Sequence, residues 1–132
     1  MSRILLDTNT LIFALLQPHR LPDEAAKIVK DRKNDVLFSA ASIWVIAIKA
    51  ALGRASFKHN PSAVVTVALD SGLIELHVCS DAAIVAAAFP MHHKDPFDRI
   101  LVAQAVVEPA KLLTSDRILA RYSPLVQLFD PL

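Results

Sequence analysis

Two aspartates, Asp7 and Asp116, each follow a short apolar run that is typical of a buried strand. Carboxylates brought together without a counter-charge repel one another and take up protons, so their assembly at neutral pH implies a cation. Hard oxygen ligands favour Mg²⁺ or Mn²⁺ over zinc. The spacing alone leaves two interpretations open, because an aspartate that ends a strand is as often a helix cap or a loop residue as a metal ligand.

The pattern of apolar runs and breaker residues predicts strands that alternate with helices. Strands are predicted at residues 3–6, 36–38, 74–78, 111–114 and 126–128, and helices at 11–16, from 22 onward, at 40–52, 61–72, 81–88, 96–107 and 116–122. This order predicts an α/β fold with a short parallel sheet covered by helices on both faces. Ligands of such folds collect beyond the carboxyl ends of the strands, where Asp7 and Asp116 would lie.

Length and composition predict one soluble domain that spans residues 1–132. The chain has 54% hydrophobic and 20% charged residues, which is enough apolar material for a core without disulfides. Its single cysteine, Cys79, excludes an internal disulfide and a cysteine-rich zinc site, which favours a reducing cytoplasm. No signal-peptide core or membrane-spanning run is predicted. Two glycines are too few for a P-loop or a dinucleotide fingerprint.

Charge is unevenly distributed although the net charge is only +1. The segment between Asp35 and Asp70 has no acidic residue and includes Lys49, Arg54 and Lys58. Such a segment is either an ordinary solvated face or a surface that contacts phosphate groups.

Four ordered segments of this sequence resemble the motifs of PIN-domain proteins, and most of all the VapC toxins of bacterial toxin–antitoxin pairs. The segments are residues 5–9 (LLDTN), 39–49 (SAASIWVIAIK), 95–105 (DPFDRILVAQA) and 113–116 (LTSD). The resemblance implies a PIN-like α/β/α sandwich. It also implies an endoribonuclease that depends on Mg²⁺ or Mn²⁺, cleaves RNA with a metal-activated water, is inhibited by a small VapB-type antitoxin and is a homodimer.

The resemblance implies particular roles for the residues that match the family motifs. Asp7, Asp98 and Asp116 match the catalytic, metal-binding aspartates of the family. Four neighbouring residues are expected to orient these carboxylates or to contact phosphate: Thr8, Asn9, Thr114 and Ser115. The alternative role for them is to cap the helix that follows. Arg99 or Lys49 could neutralise charge on the scissile phosphate, and Arg99 could equally form an ion pair with Asp98.

The sequence departs from the family at Val45, where the family has a glutamate. The other glutamates of the chain are Glu24, Glu75 and Glu108, and none of them is near this position in the sequence. On a helix Val45 shares a stripe with Ser42 and Lys49. A missing metal ligand should cost at least the 10- to 100-fold that loss of a supporting residue costs. The chain is therefore expected to cleave RNA weakly or not at all, either as a naturally degenerate member or through a single codon change.

A non-catalytic alternative also fits the sequence: a toxin-like subunit that binds an antitoxin partner and needs no glutamate at position 45. Other chemistry-bearing residues are given structural roles. Asp95 is expected to cap the helix that begins at Pro96. His92 and His93 are expected in a solvated loop, and Trp44 and Phe97 in the core or at an interface.

Overall fold

The computed structural model describes residues 2–53, 59–93 and 95–132. Within these ranges its elements are β1 (Arg3–Leu6), α1 (Thr8–Leu16), α2 (Asp23–Lys30), β2 (Asp35–Ser39), α3 (Ala40–Ala51), α4 (Pro61–Asp70), β3 (Ile74–Leu76), α5 (Ser80–Ala88), α6 (Pro96–Val107), β4 (Lys111–Thr114) and β5 (Val126–Leu128). Two 3₁₀ helices span Pro18–Arg20 and Arg117–Arg121.

The strands form one parallel sheet in the order β3-β2-β1-β4-β5. The central strand is β1, whose Leu6 pairs with Phe38 on one side and with Leu113 on the other. Because β1 and β4 are parallel neighbours, their carboxyl ends lie side by side. The chain segments that follow Leu6 and Thr114 therefore begin at the same rim of the sheet.

Alternating side chains of the central strand enter two separate cores. Ile4 and Leu6 pack in a cluster with apolar residues of α1 to α4, whereas Leu5 packs against α6 and the second 3₁₀ helix. A strand that is apolar on both faces must be covered on both faces. The predicted α/β sandwich, a parallel sheet with helices on both sides, is thus confirmed.

Most predicted helix boundaries agree with local capping. The side chain of Ser39 accepts a hydrogen bond from the backbone of Ala41 and so begins α3. Gly53 and Gly72 follow α3 and α4 with φ values of 63° and 88°, the left-handed conformation that ends helices at low cost only with glycine. The first helix begins earlier than predicted, at Thr8, because Asp7 caps it.

No helix in the described ranges is both long enough and apolar enough to cross a membrane. Of the basic segment predicted from the sequence, Lys49 lies on α3, whereas Arg54 and Lys58 lie outside the described residues.

Candidate metal centre

Asp98 and Asp116 meet at the carboxyl-terminal rim of the sheet. Asp98 is in the first turn of α6, and Asp116 follows β4 and caps the second 3₁₀ helix. One ligand atom from each of Asp98, Asp116 and His93 lies within 4.8 Å of the other two. Among the described residues this is the one group of three or more candidate ligand side chains at such distances. Two carboxylates and an imidazole are donors that divalent cations accept.

Asp7 is buried, and its carboxylate is not among the three groups that lie within 4.8 Å of one another. Its Oδ1 atom accepts a hydrogen bond from the backbone N–H of Thr10 at 2.9 Å, and its Oδ2 atom accepts one from the Thr114 hydroxyl at 2.5 Å. The Thr114 oxygen in turn accepts the backbone N–H of Asp116 at 3.0 Å. Because Asp7 and Asp116 follow neighbouring strands, one threonine side chain links both of them.

Neighbouring carboxylates contribute to raised pKa values in this site. Burial raises the pKa of Asp98 to about 7, with the charges of Asp95, Asp7 and Asp116 adding to the increase and His93 opposing it. Burial also raises the pKa of Asp7, and the charge of Asp116 adds to this effect, while hydrogen bonds from Thr10 and Thr114 oppose it. A site whose carboxylates resist ionisation is stabilised by a bound cation. The residues present therefore fit a divalent metal ion.

His93 is where the structure corrects the sequence prediction of a solvated loop. Its Nε2 atom lies 2.9 Å from Oδ2 of Asp116 and 3.4 Å from Oδ2 of Asp98, and its side chain is only 18% exposed. The Tyr122 hydroxyl accepts the backbone N–H of His93 at 2.7 Å, which holds this residue against the second 3₁₀ helix. The one feature of the sequence that could have indicated His93 as a site residue is its position five residues before Asp98. The sequence does not show which way the loop folds.

The predicted supporting residues occupy different positions around the rim. Thr8 is buried and donates its hydroxyl hydrogen to Ser42 of α3 at 2.9 Å, which ties α1 to α3. Thr114 makes the two contacts described above. Asn9 is exposed in the first turn of α1, and Ser115 is half-buried between Thr114 and Asp116. Of these residues, Thr114 is the one with a hydrogen bond to a predicted ligand side chain.

Among its described contacts, Arg99 does not form the predicted ion pair with Asp98, and the predicted contact with phosphate stays a prediction. Its guanidinium donates to the backbone carbonyl of Ala86 at 3.0 Å and to the sulfur of Met91 at 3.3 Å. These bonds direct the side chain from α6 towards α5 and the loop after it. The physical reason is that residue 99 is one step around the helix from Asp98, so the two side chains leave α6 in different directions.

Asp95 has the structural role predicted for it. It caps α6, with its Oδ1 atom accepting the backbone N–H of Phe97 at 2.9 Å. Its own backbone N–H donates to Nδ1 of His93 at 3.0 Å. The cap therefore also orients the imidazole.

Val45 lies on α3, opposite the beginning of α6. It lines a groove of about 280 Å³ together with Lys49, Asp95 and Phe97. Ser42, one turn earlier on the same face, contacts Thr8 next to Asp7. Side chains on a helix lean towards its amino terminus, so a glutamate at position 45 would extend towards the level of Ser42.

Trp44 is not a core residue, contrary to one of the two roles predicted for it. Its side chain is 62% exposed, and its ring meets that of Phe97 edge to face with the ring centroids 5.1 Å apart. Both residues line an apolar groove of about 580 Å³ between α3 and α6. The interface role predicted for these two residues stays a prediction.

Comparison with solved structures shows the same fold in two VapBC proteins and in FitAcB. VapBC2 from Rickettsia felis, bound to a DNA fragment from their promoter, matches with a TM-score of 0.68 and 16% identity over 98% of each chain. DNA-bound VapBC from Salmonella typhimurium matches with a TM-score of 0.65 and 18% identity, again over 98% of each chain. FitAcB from Neisseria gonorrhoeae matches with a TM-score of 0.53 and 19% identity over 88% of this chain and 89% of that one.

Sequence comparison gives the family directly. No curated protein matches the chain in sequence. A family model, described as the PIN domain, matches residues 4–124, which include β4, all of β1 except Arg3, and all three predicted metal-binding aspartates. The chain therefore belongs to the PIN-domain family.

Proposed function

We propose that this protein is the toxin of a type II toxin–antitoxin pair and an endoribonuclease that depends on Mg²⁺ or Mn²⁺, with activity weakened by Val45. The observation that carries the proposal is the approach of Asp98 and Asp116, whose ligand atoms lie within 4.8 Å although the residues come from separate elements. Like charges are assembled at this distance in a half-buried site most readily when a cation joins them.

Asp7, Asp98 and Asp116 are the side chains that would hold the cation. Asp98 and Asp116 present carboxylate oxygens at the rim, and each oxygen of Asp7 keeps a lone pair besides its hydrogen bond. A bound Mg²⁺ or Mn²⁺ supplies an activated water and neutralises charge on the scissile RNA phosphodiester. Thr114 orients the carboxylate of Asp7 and holds the backbone of Asp116, the residue that carries the next carboxylate.

Val45 explains the weakened activity in this proposal. The α3 face that carries Ser42 and Val45 borders both Thr8 and the capped end of α6, yet it offers a hydrocarbon side chain where a fourth acid would face the cation. Loss of one ligand lowers metal affinity and leaves part of the coordination sphere to water. We expect the chain to hold one cation poorly.

Replacement of Val45 by glutamate tests the proposal. The Val45→Glu and Val45→Gln chains would be incubated with total RNA and Mn²⁺, with and without a chelator, beside the unchanged protein. We expect Val45→Glu to cleave RNA at least 10-fold faster than the other two. The glutamine chain controls for side-chain size, since it adds polar bulk without charge. Equal rates for all three chains, or cleavage that persists in chelator, would contradict the proposal.

The partners are proposed from the solved relatives. Because VapBC from two bacteria and FitAcB share this fold, we propose that the chain binds a VapB-type antitoxin and acts on RNA in the cytoplasm when the antitoxin is absent. Assembly as a homodimer and a single domain over residues 1–132 are part of the same proposal.

A second candidate is a PIN-domain subunit that binds an antitoxin without cutting RNA. Val45 favours it, as does the apolar groove beside Trp44, which offers contact surface away from the carboxylates. Titration of Mn²⁺ followed by calorimetry separates the two candidates. A site that binds the cation and loses it in Asp116→Asn supports the nuclease, whereas no binding at millimolar Mn²⁺ supports the binding subunit.

A further inference from the structure

A second set of candidate metal ligands lies along and just after the edge strand β3. Glu75, His77 and Cys79 are spaced two residues apart, and an extended chain turns alternate side chains to the same face. β3 ends at Leu76, but Cys79 still has extended backbone angles, with a φ of −95° and a ψ of 166°. All three residues line one groove of about 300 Å³, which has no residue in common with the acids at the rim.

Two of the three side chains already lie at the spacing that one zinc ion gives its ligands. Nε2 of His77 is 3.4 Å from Oε2 of Glu75. Zinc binds imidazole nitrogen and carboxylate oxygen at about 2.0–2.2 Å, and at the tetrahedral angle such bonds place the two ligand atoms about 3.3–3.6 Å apart. The histidine and the glutamate therefore have the separation that a shared cation requires.

The backbone that carries these ligands is anchored from α6. Gln104 is buried, and its Nε2 atom donates to the backbone carbonyl of His77 at 3.4 Å. Its Oε1 atom accepts the Ser39 hydroxyl at 2.6 Å, which ties the same amide to the end of β2. The side chains can still change rotamer, since that of His77 is 85% exposed and Cys79 is exposed. The segment thus combines a supported backbone with adjustable ligand atoms.

We propose that Glu75, His77 and Cys79 form a Zn²⁺ site that is separate from the rim acids. A thiolate and an imidazole are softer donors than the oxygens that Mg²⁺ and Mn²⁺ prefer, so this set favours Zn²⁺. Among the described residues only the rim group has three ligand atoms within 4.8 Å of one another, so the ion itself must complete this set. The Cys79 side chain turns towards the other two, and its thiol proton is released to solvent, because the thiolate is the ligand.

Glu108 is the other acid of the groove, and it is not part of the proposed site. Its carboxylate forms an ion pair with Arg3 of β1. With three protein ligands, the fourth position of a tetrahedral ion is open to water. The site therefore takes up and releases Zn²⁺ more readily than a closed structural site, and it depends neither on the rim acids nor on Val45.

Titration of the full chain with Co²⁺ tests the site, because Co²⁺ adopts zinc-like coordination and absorbs visible light. Cys79 is the single cysteine, so a thiolate-to-cobalt charge-transfer band can arise only from this residue. We expect the band at one Co²⁺ per chain, its loss when Zn²⁺ is added, and its absence in Cys79→Ser. His77→Ala and Glu75→Gln keep the thiol and should weaken Co²⁺ binding at least 10-fold.

His92→Ala is the matched control, because His92 is an exposed histidine outside the groove, and it should leave the band unchanged. Absence of the band in the unchanged chain would overturn the site. So would equal Co²⁺ affinity in the unchanged, His77→Ala and Glu75→Gln chains, since the thiol would then bind without its partners. A band per chain that grows with protein concentration would also overturn it, because two molecules would then share one ion. None of these outcomes bears on Mn²⁺ binding at the rim, which Asp116→Asn tests separately.

Discussion

The hydroxyl of Thr114 donates to Oδ2 of Asp7 over 2.5 Å, although the residues are 107 positions apart in the sequence. The same oxygen accepts the backbone N–H of Asp116. Thr114 itself is fully buried, so neither contact is exchanged for water. One side chain on β4 thus sets the orientation of the carboxylate that follows β1 and of the residue that carries the next carboxylate.

Thr114→Val should weaken metal binding. Valine has nearly the shape of threonine but no hydroxyl, so Asp7 loses a donor and the backbone N–H of Asp116 loses an acceptor. We expect Mn²⁺ affinity to fall by about 10- to 100-fold and the free energy of unfolding to fall by about 1–3 kcal/mol. Calorimetry and denaturant melting measure the two effects.

Thr114→Ser is the matched control for that substitution. It keeps the hydroxyl and removes one methyl group, so Mn²⁺ affinity should stay within about 3-fold of the original, with a modest loss of stability. Equal metal affinity in the valine and serine chains would show that the hydroxyl does not orient the site.

The metal-free protein should become less stable as the pH rises towards 7. The folded chain holds a proton on Asp98 up to a pKa of about 7, whereas the ordinary value is 3.8. Between these values the folded state binds more protons than the unfolded state, so stability falls with increasing pH and this contribution is lost above pH 7. The raised pKa of Asp7 acts in the same direction. Thermal melting in chelator from pH 5 to 8 measures the trend.

Asp98→Asn should remove much of this pH dependence, because asparagine has no charge to desolvate. At pH 8 in chelator we expect its melting temperature to exceed that of the original chain by about 2–5 °C, while Mn²⁺ binding is lost. Asp130→Asn is the surface control, since Asp130 is exposed and pairs only with Arg117 among the described contacts. If Asp98→Asn melts below the original at pH 8, burial of a charged carboxylate is not what destabilises the metal-free protein.

Arg99→Met should lower stability and leave metal affinity unchanged. The substitution removes the donor to the backbone carbonyl of Ala86, which connects α6 to α5. We expect the melting temperature to fall by about 2–5 °C and Mn²⁺ affinity to stay within about 2-fold. Arg117→Met, which breaks an exposed ion pair with Asp130, should change stability much less. Unchanged stability with weakened RNA binding would instead favour a phosphate contact for Arg99.

The sequence by itself determined the architecture and the strand-end acids. The apolar run that ends at Leu6 and the run that ends at Thr114 predict parallel strands, and parallel strands place Asp7 and Asp116 at one rim. Sequence patterns of this kind depend only on a few neighbouring residues. Ser39, Gly53 and Asp95 fixed helix ends for the same reason, since caps act on the backbone next to them.

Only the tertiary structure decided what surrounds those acids. His93 reaches Asp116 because the loop after α5 folds back over the second 3₁₀ helix, where Tyr122 holds it. The Arg99 guanidinium reaches the carbonyl of Ala86 because α6 lies beside α5. Trp44 is exposed on α3 in the folded protein. These contacts depend on the three-dimensional meeting of segments that are distant in the chain. No periodicity or motif near His93 records that meeting, so the residue that lies between the two carboxylates could be found only in the folded protein.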